Sequence, residues 1–200
     1  MTHVLILGAN GQIARVATQL FLQHTDVALT LYLRSASRLK RSGPADRVRV
    51  LEGDVLDASS LADAMVGQDV VYANLAGALE QQAQAIVKAM KTAHLRRLIF
   101  ISSMGIYDEV PGERQGAILD PYRKAAAVIE ASDLDYTIIR PAWLSDKDEV
   151  AYGTTKKGES FKSAGDTVSR KSVADLVVKL ATAPAPGVAL RCSLGVHKAS

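Results

Sequence analysis

The stretch Leu5–Ala14, LILGANGQIA, decides how the chain is read, because two glycines stand three residues apart where an apolar run meets a helical pattern. Before it, Val4 to Leu7 is continuously apolar, as in a strand covered on both faces. After it, Ile13, Val16, Ala17, Leu20 and Phe21 recur at i, i+3, i+4, i+7 and i+8, the stripe of a helix packed on a sheet. Gly8 suits the sharp strand-to-helix turn, Gly11 allows a ligand to approach the backbone, and Ala14 is small enough to keep the helix close to the sheet. The helix N-terminus adds unpaired N–H groups and a partial positive charge. Taken alone, the glycines equally describe a tight turn without a ligand.

Outward from this turn, short β-rich runs alternate with segments of helical period, which predicts crossover units on a parallel sheet. The further strands are VALTLYLR (27–34), RVRVLEG (47–53) and DVVYANLAG (69–77), expected to be covered on both sides, and then RLIFISS (97–103) and LDYTIIRP (134–141). Leu79, Ala83, Ile86, Val87 and Met90 mark one intervening helix, residues 120–132 another, and Val173, Leu176, Val177 and Leu180 a last one before GVALRCSLGV (187–196). The expectation is α/β: a doubly wound parallel sheet in three layers, a single domain over 1–200. Residues 142–168, polar and glycine-dotted, form a small C-terminal lid region as a substrate-side loop or hairpin. A glycine turn in the first crossover of such a pattern points to a dinucleotide, and Gly8, Asn10, Gly11, Gln12 and Ile13 become candidate ligands.

Composition narrows the class. With 200 residues, 48% hydrophobic and 22% charged, the chain can bury one good core. A net charge of +3 is too weak and too scattered to argue for nucleic acid. The lone Cys192 and the lack of Cys/His metal spacing exclude an internal disulfide, imply no metal and suit a reducing cytoplasm. No stretch approaches the roughly 18 apolar residues of a membrane span.

The end of the second strand selects the dinucleotide. An acid there would bond the ribose hydroxyls of NAD and repel a 2′-phosphate. Here LRSASRLKR carries Arg34, Ser35, Arg38, Lys40 and Arg41. Arg34 and Arg38 are assigned to the phosphate, Lys40 and Arg41 to solvent, and Ser35 counts among the cofactor-binding candidates. A charge-assisted bond contributes about 1.5–3 kcal/mol, so NADP is preferred by about tenfold or more. Asp54, with the Val55 backbone beside it, follows the third strand and is placed to accept from the adenine amino group, while Asp57 is the better cap for the next helix.

Taken together, LGANGQIA, GDVLD, ANLAG, FISSMGIY, LDYTIIRP and VSRKSVADLVVKL resemble the NAD(P)-binding, NmrA-like atypical short-chain dehydrogenase/reductases. The glycine spacing is the G-x-x-G-x-x-[GA] form of that group rather than G-x-G-x-x-G. The resemblance implies a Rossmann fold of strand order 3-2-1-4-5-6 with an added C-terminal strand. It also implies Asn74, Ala76 and Gly77 against the cofactor's ribose and pyrophosphate, Ser102 and Ser103 near the nicotinamide, and Pro141 and Ala142 presenting backbone to its carboxamide. Each has a structural alternative: Asn74 as a turn cap, the serines bonding neighbouring backbone, Pro141 as a strand stop.

The short-chain enzymes usually take their proton from a Tyr-x-x-x-Lys pair on one helix face, and the helix expected over 120–132 carries none: Ala126 stands four residues beyond Tyr122 and Asp120 four before Lys124. The remaining candidates are Ser103 to orient the substrate, Tyr107 or Tyr122 to donate, and Lys124 near the ribose. Tyr107 equally reads as loop packing, Lys124 as a solvated helix residue, and Arg140 as either an internal ion-pair partner or a substrate ligand. Trp143, Tyr152 and Phe161 line a pocket over the nicotinamide or form the core of a hairpin.

These residues support an NADP(H)-dependent oxidoreductase reducing a small carbonyl, quinone, flavin or related acceptor. In the flavin and quinone cases solvent supplies the proton and the missing pair matters less. The rival is an NADP(H)-binding redox sensor that acts without turnover through a protein partner. A nucleotide-sugar epimerase shares the glycine motif but calls for a longer C-terminal part. The expected partner is a small-molecule substrate, with a homodimer or a protein partner both compatible, and neither nucleic acid nor membrane.

Overall fold

The computed structural model describes residues 1–39, 44–110, 116–183 and 189–199, so Lys40 and Arg41 lie outside the described residues. The chain runs β1 (His3–Leu7), α1 (Gln12–His24), β2 (Ala28–Leu33), β3 (Val48–Glu52), α2 (Ala58–Met65) and β4 (Val70–Ala73). Then follow α3 (Leu79–Thr92), β5 (Arg97–Ile101), α4 (Asp120–Glu130) and β6 (Asp135–Pro141). The last third holds β7 (Trp143–Ser145), β8 (Tyr152–Lys156), β9 (Thr167–Ser169), α5 (Arg170–Thr182) and β10 (Cys192–Lys198).

The main sheet has the order β3-β2-β1-β4-β5-β6-β10-β8. Its strands are parallel apart from β8, which runs antiparallel to β10. This is the doubly wound order with β10 as the added C-terminal strand. Side chains alternate across the sheet, and each parity finds its own layer of helices. Val4, Ile6, Tyr72, Ile99 and Ile139 pack with the stripes of α1 and α5. Leu5, Leu7, Val71, Leu98, Phe100 and Ile138 pack with α2, α3 and α4. The continuous apolar runs are thus explained: both faces of the central strands are covered.

Local chemistry sets the helix starts. Asp57 Oδ1 accepts from the Ser59 and Ser60 amides and caps α2, as expected of it. Ser169 caps α5 by accepting from the Ser172 amide at 2.9 Å. No side chain caps α1, whose N-cap is Gly11.

Two expectations are corrected. β3 is not covered on both sides: as the edge strand it leaves Arg49, Val50 and Glu52 exposed. Residues 142–168 are not a loop or hairpin set over the domain. β7 pairs in parallel with β9, and β8 extends the main sheet at its far edge. Phe161 is 4% exposed and belongs to the core shared with α5. Tyr152 is half-buried and donates to Asp175 Oδ2 at 2.9 Å. Only Trp143 of the three aromatics stays at the surface, 55% exposed.

Arg140, on β6, is completely buried and pairs with the equally buried Glu109. The guanidinium also donates to Ser193 Oγ at 3.0 Å. Glu109 accepts from the Gly105 and Tyr107 amides at 3.1 and 2.9 Å, so the pair braces the loop that leaves β5. Removing one member strands the other charge in the core. Arg140→Met is expected to cost about 3–5 kcal/mol in urea unfolding, and the Arg140→Met/Glu109→Leu double variant less than that.

Candidate functional site

The glycine turn builds the centre of the site. Gly8 adopts φ +75°, a left-handed conformation in which an L side chain is strained. A Cβ there would overlap the Asn74 carbonyl oxygen, and a Cβ at Gly11 would overlap the Asn74 side-chain amide. The turn is closed by the Gly11 amide donating to Gly8 O at 2.9 Å, and it is tied to β2 by the Gly8 amide donating to Tyr32 O at 3.0 Å. With no side-chain cap, the first N–H groups of α1 lack intrahelical acceptors, which is the arrangement that suits an anion.

A cleft runs across the carboxyl ends of the strands in two adjoining lobes that share Asn74 and Leu75. The first, of about 430 Å³, is lined by Gly8, Asn10, Gly11, Arg34, Ser35 and Arg38, and by Asp54, Val55 and Ala76. Arg34 and Arg38 are exposed and make no ion pair among the described residues. Glu52 is the nearest acid in sequence on β3, and its carboxylate is committed to the Ala36 amide at 2.8 Å, fixing the 3₁₀ turn at Ala36–Arg38. Asp54 Oδ1 accepts from the Leu56 amide at 2.9 Å, an Asx turn that orients the carboxylate beside the lobe. Asn10 Oδ1 is buried without a hydrogen-bond partner among the described residues.

The second lobe, of about 470 Å³, is lined by Gln12, Ile13, Ser102, Ser103, Tyr122, Pro141 and Ala142, with Ile101, Trp143, Leu144 and Arg170. Ser102 Oγ is buried and unpartnered among the described residues. The expected backbone role of Ala142 is corrected in part. Its N–H already donates to Val196 O at 2.8 Å, and the Pro141 carbonyl receives the Met104 amide at 3.2 Å. Gly77 takes φ +93° at the turn into α3 and does not line either lobe.

Two of the four catalytic candidates leave the cleft. Tyr107 donates its hydroxyl to Glu130 Oε1 at 2.7 Å and lies between the Arg140 guanidinium, 5.1 Å from its ring centroid, and Lys157, 4.3 Å away. Burial pushes its phenol pKa up, away from a proton-donating role. Lys124 is exposed and pairs with Glu80 across α3 and α4 at 3.7 Å. Ser103 and Tyr122 remain in the second lobe.

Several lining residues had no assignment from sequence: Tyr32, Gly53, Leu75 and Gln82 in the first lobe, Ile101, Leu144 and Arg170 in the second. Tyr32 donates to Asp54 O at 2.8 Å and shares a hydrogen bond with Ser60 Oγ, and a Cβ at Gly53 would overlap its hydroxyl. A glycine directly after β3 was the signal available. Arg170 was signalled by a basic pair directly after a serine cap, where the helix dipole disfavours cations.

A doubly wound sheet with a glycine turn at its first crossover, and a cleft across its carboxyl edge, defines a dinucleotide-binding Rossmann protein. The sequence pattern of the NAD(P)H-binding family matches residues 8–184, and the chain belongs to that family, among the atypical short-chain dehydrogenase/reductases. It is 41% identical to a solved Rossmann-fold NAD(P)-binding family protein from Shigella flexneri, with TM-score 0.85 over 99% of this chain and 94% of that one. A short-chain dehydrogenase/reductase (wide type) from Veillonella parvula DSM 2008, solved in complex with NADP, is 30% identical, with TM-score 0.86 over 98% of this chain and 94% of that one. A protein named as an uncharacterized sugar epimerase, YhfK, from Bacillus subtilis (strain 168) is 28% identical over 191 residues, 88% of this chain and 86% of its own.

The close approach at Gly8 has a measurable consequence. Gly8→Ala is expected to lower stability by about 1–3 kcal/mol in urea unfolding, because the added methyl meets both backbone strain and the Asn74 carbonyl.

Proposed function

We propose that the protein is an NADPH-dependent reductase of a small carbonyl, quinone, flavin or related acceptor. The observation that carries the preference for NADP is the end of β2, where Arg34, Ser35 and Arg38 line the first lobe and the neighbouring Glu52 is spent on a backbone amide. The NADP found in the Veillonella parvula relative agrees with it. The residues present fit the cofactor: the turn has no room for a Cβ at Gly8 or Gly11, and Asn10 Oδ1 and Ser102 Oγ are buried polar atoms without hydrogen-bond partners among the described residues.

On this reading Arg34 and Arg38 hold the 2′-phosphate, Asp54 receives the adenine amino group, and the α1 N-terminus at Gly11–Ile13 holds the pyrophosphate. The nicotinamide supplies a hydride when bound in the second lobe. Ser103 orients the acceptor's oxygen there, and Tyr122 holds the proton that a carbonyl acceptor requires. Tyr107 and Lys124 take no part, being engaged by Glu130 and Glu80. Leu75, Trp143 and Leu144 give the lobe an apolar wall that limits water.

Calorimetric titration with NADPH and NADH tests the cofactor. NADPH is expected to bind about tenfold tighter or better, and Arg34→Ala to remove most of that preference. Equal binding overturns the assignment of the arginines. A panel of aldehydes, quinones and flavins followed by NADPH absorbance tests turnover, and NADPH that binds yet is oxidised by none overturns the reductase. With a carbonyl acceptor Tyr122→Phe is expected to lower kcat about a hundredfold, while Tyr107→Phe leaves it unchanged.

A further inference from the structure

The second lobe is neutral along its lining except at one position. Gln12, Ile13, Ser102, Tyr122, Trp143 and Leu144 bring no charge, and Arg170 is the charged residue among the described lining. It opens α5 directly after the Ser169 cap, a place where the helix dipole works against a cation. Its counter-ion is weakly placed. Asp146 Oδ1 meets Arg170 Nη1 at 2.8 Å, yet the Asp146 side chain is 87% exposed whereas that of Arg170 is 18% exposed. The carboxylate therefore stands in water, while the mostly buried Arg170 side chain lines the second lobe and also borders the neighbouring hollow that holds Asp146.

Hydrogen bonding leaves the same spot incomplete. Arg170 Nε is buried with no partner among the described residues. Ser145 Oγ is buried and unpartnered as well, and Ser145 lies opposite Ser169 in the β7–β9 ladder, next to Arg170 in sequence. Unpaired buried donors of this kind are costly, and a guanidinium fork is satisfied best by the two oxygens of an anion. Beside it, the exposed indole of Trp143 and the Leu144 side chain offer a flat apolar surface.

We propose that Arg170 binds a carboxylate on the acceptor, so that the substrate is a planar, carboxylate-bearing carbonyl or quinone whose apolar body lies against Trp143. This deepens the reductase reading, since it takes the second lobe as the acceptor's site. The pyrophosphate of the cofactor is the rival anion for the same guanidinium, and the two sources are separable by experiment.

The probes are para-formylbenzoate and anthraquinone carboxylate, each paired with its neutral methyl ester. They are titrated by calorimetry into the protein with and without saturating NADP⁺, and into the Arg170→Leu and Arg170→Lys variants after thermal melting confirms that these fold. The wild type is expected to bind at least one acid about tenfold tighter than its ester, Arg170→Leu to abolish the difference, and Arg170→Lys to keep part of it, all with NADPH affinity unchanged. Acid and ester binding alike in both pairs, binding of none of the probes, or a preference that survives in Arg170→Leu overturns the proposal. A loss of NADPH affinity in Arg170→Leu assigns the residue to the pyrophosphate and overturns it too. Failure of the wild type to bind NADPH is a separate result, which overturns the cofactor reading and leaves the acid–ester comparison standing on the cofactor-free protein.

Discussion

The site depends on how closely two backbone segments approach at the carboxyl edge of the sheet. β1 and β4 are paired in parallel with Leu7 opposite Ala73, and the Asn74 amide continues the ladder by donating to Leu7 O at 2.9 Å. Gly8 turns away in a left-handed conformation immediately above the Asn74 carbonyl, leaving no volume for a side chain. That contact brings the uncapped start of α1 to the strand ends and makes Asn74 the common wall of both lobes. A bulkier residue at either glycine would push α1 off the sheet and take the anion-binding amides with it.

The far half of the molecule is organised by a different force. The Arg140–Glu109 pair sits fully inside, and such a pair is tolerated only when its remaining donors and acceptors are used. Ser193 and the Gly105 and Tyr107 amides use them here. The consequence is that the loop after β5 is pinned to β6, and Tyr107 is drawn between two cations toward Glu130 instead of toward the cleft. On the same side β8 adds an antiparallel strand beyond β10, which brings Phe161 under the sheet's edge against His197 and Arg140. Packing has thus taken up Tyr107, a catalytic candidate, and the cleft keeps Ser103 and Tyr122.

Legibility follows the range of the interaction involved. Hydrophobic period is a local signal, so the strands from β1 to β6, the helix stripes and the glycine turn were readable from neighbours a few residues apart. Much of the cleft lining was readable because the strand ends of a doubly wound sheet converge: Arg34, Asp54 and Asn74 line the first lobe and Asn74 and Ser102 the second, the last two having been pointed to by the family resemblance. β8 was not readable, since YGTTK has weak apolar character and becomes a strand only because β10 presents an open edge. The choice between the two readings of Tyr107, and of Lys124, was not readable, as each was settled by an acid far away in sequence, Glu130 and Glu80.

The sequence by itself determined the layered parallel sheet, the anion-receptive turn at Gly8–Ile13 and the basic end of β2, because backbone sterics, amphipathic period and the charge of adjacent residues are written within short windows. The tertiary structure alone decided which polar side chains reach the cleft. Arg170 lines the second lobe directly after Ser169, which the β7–β9 ladder sets opposite Ser145, while Tyr107 is kept out by a buried ion pair. These outcomes rest on contacts between residues dozens of positions apart, whose energies depend on burial and on the full set of neighbours.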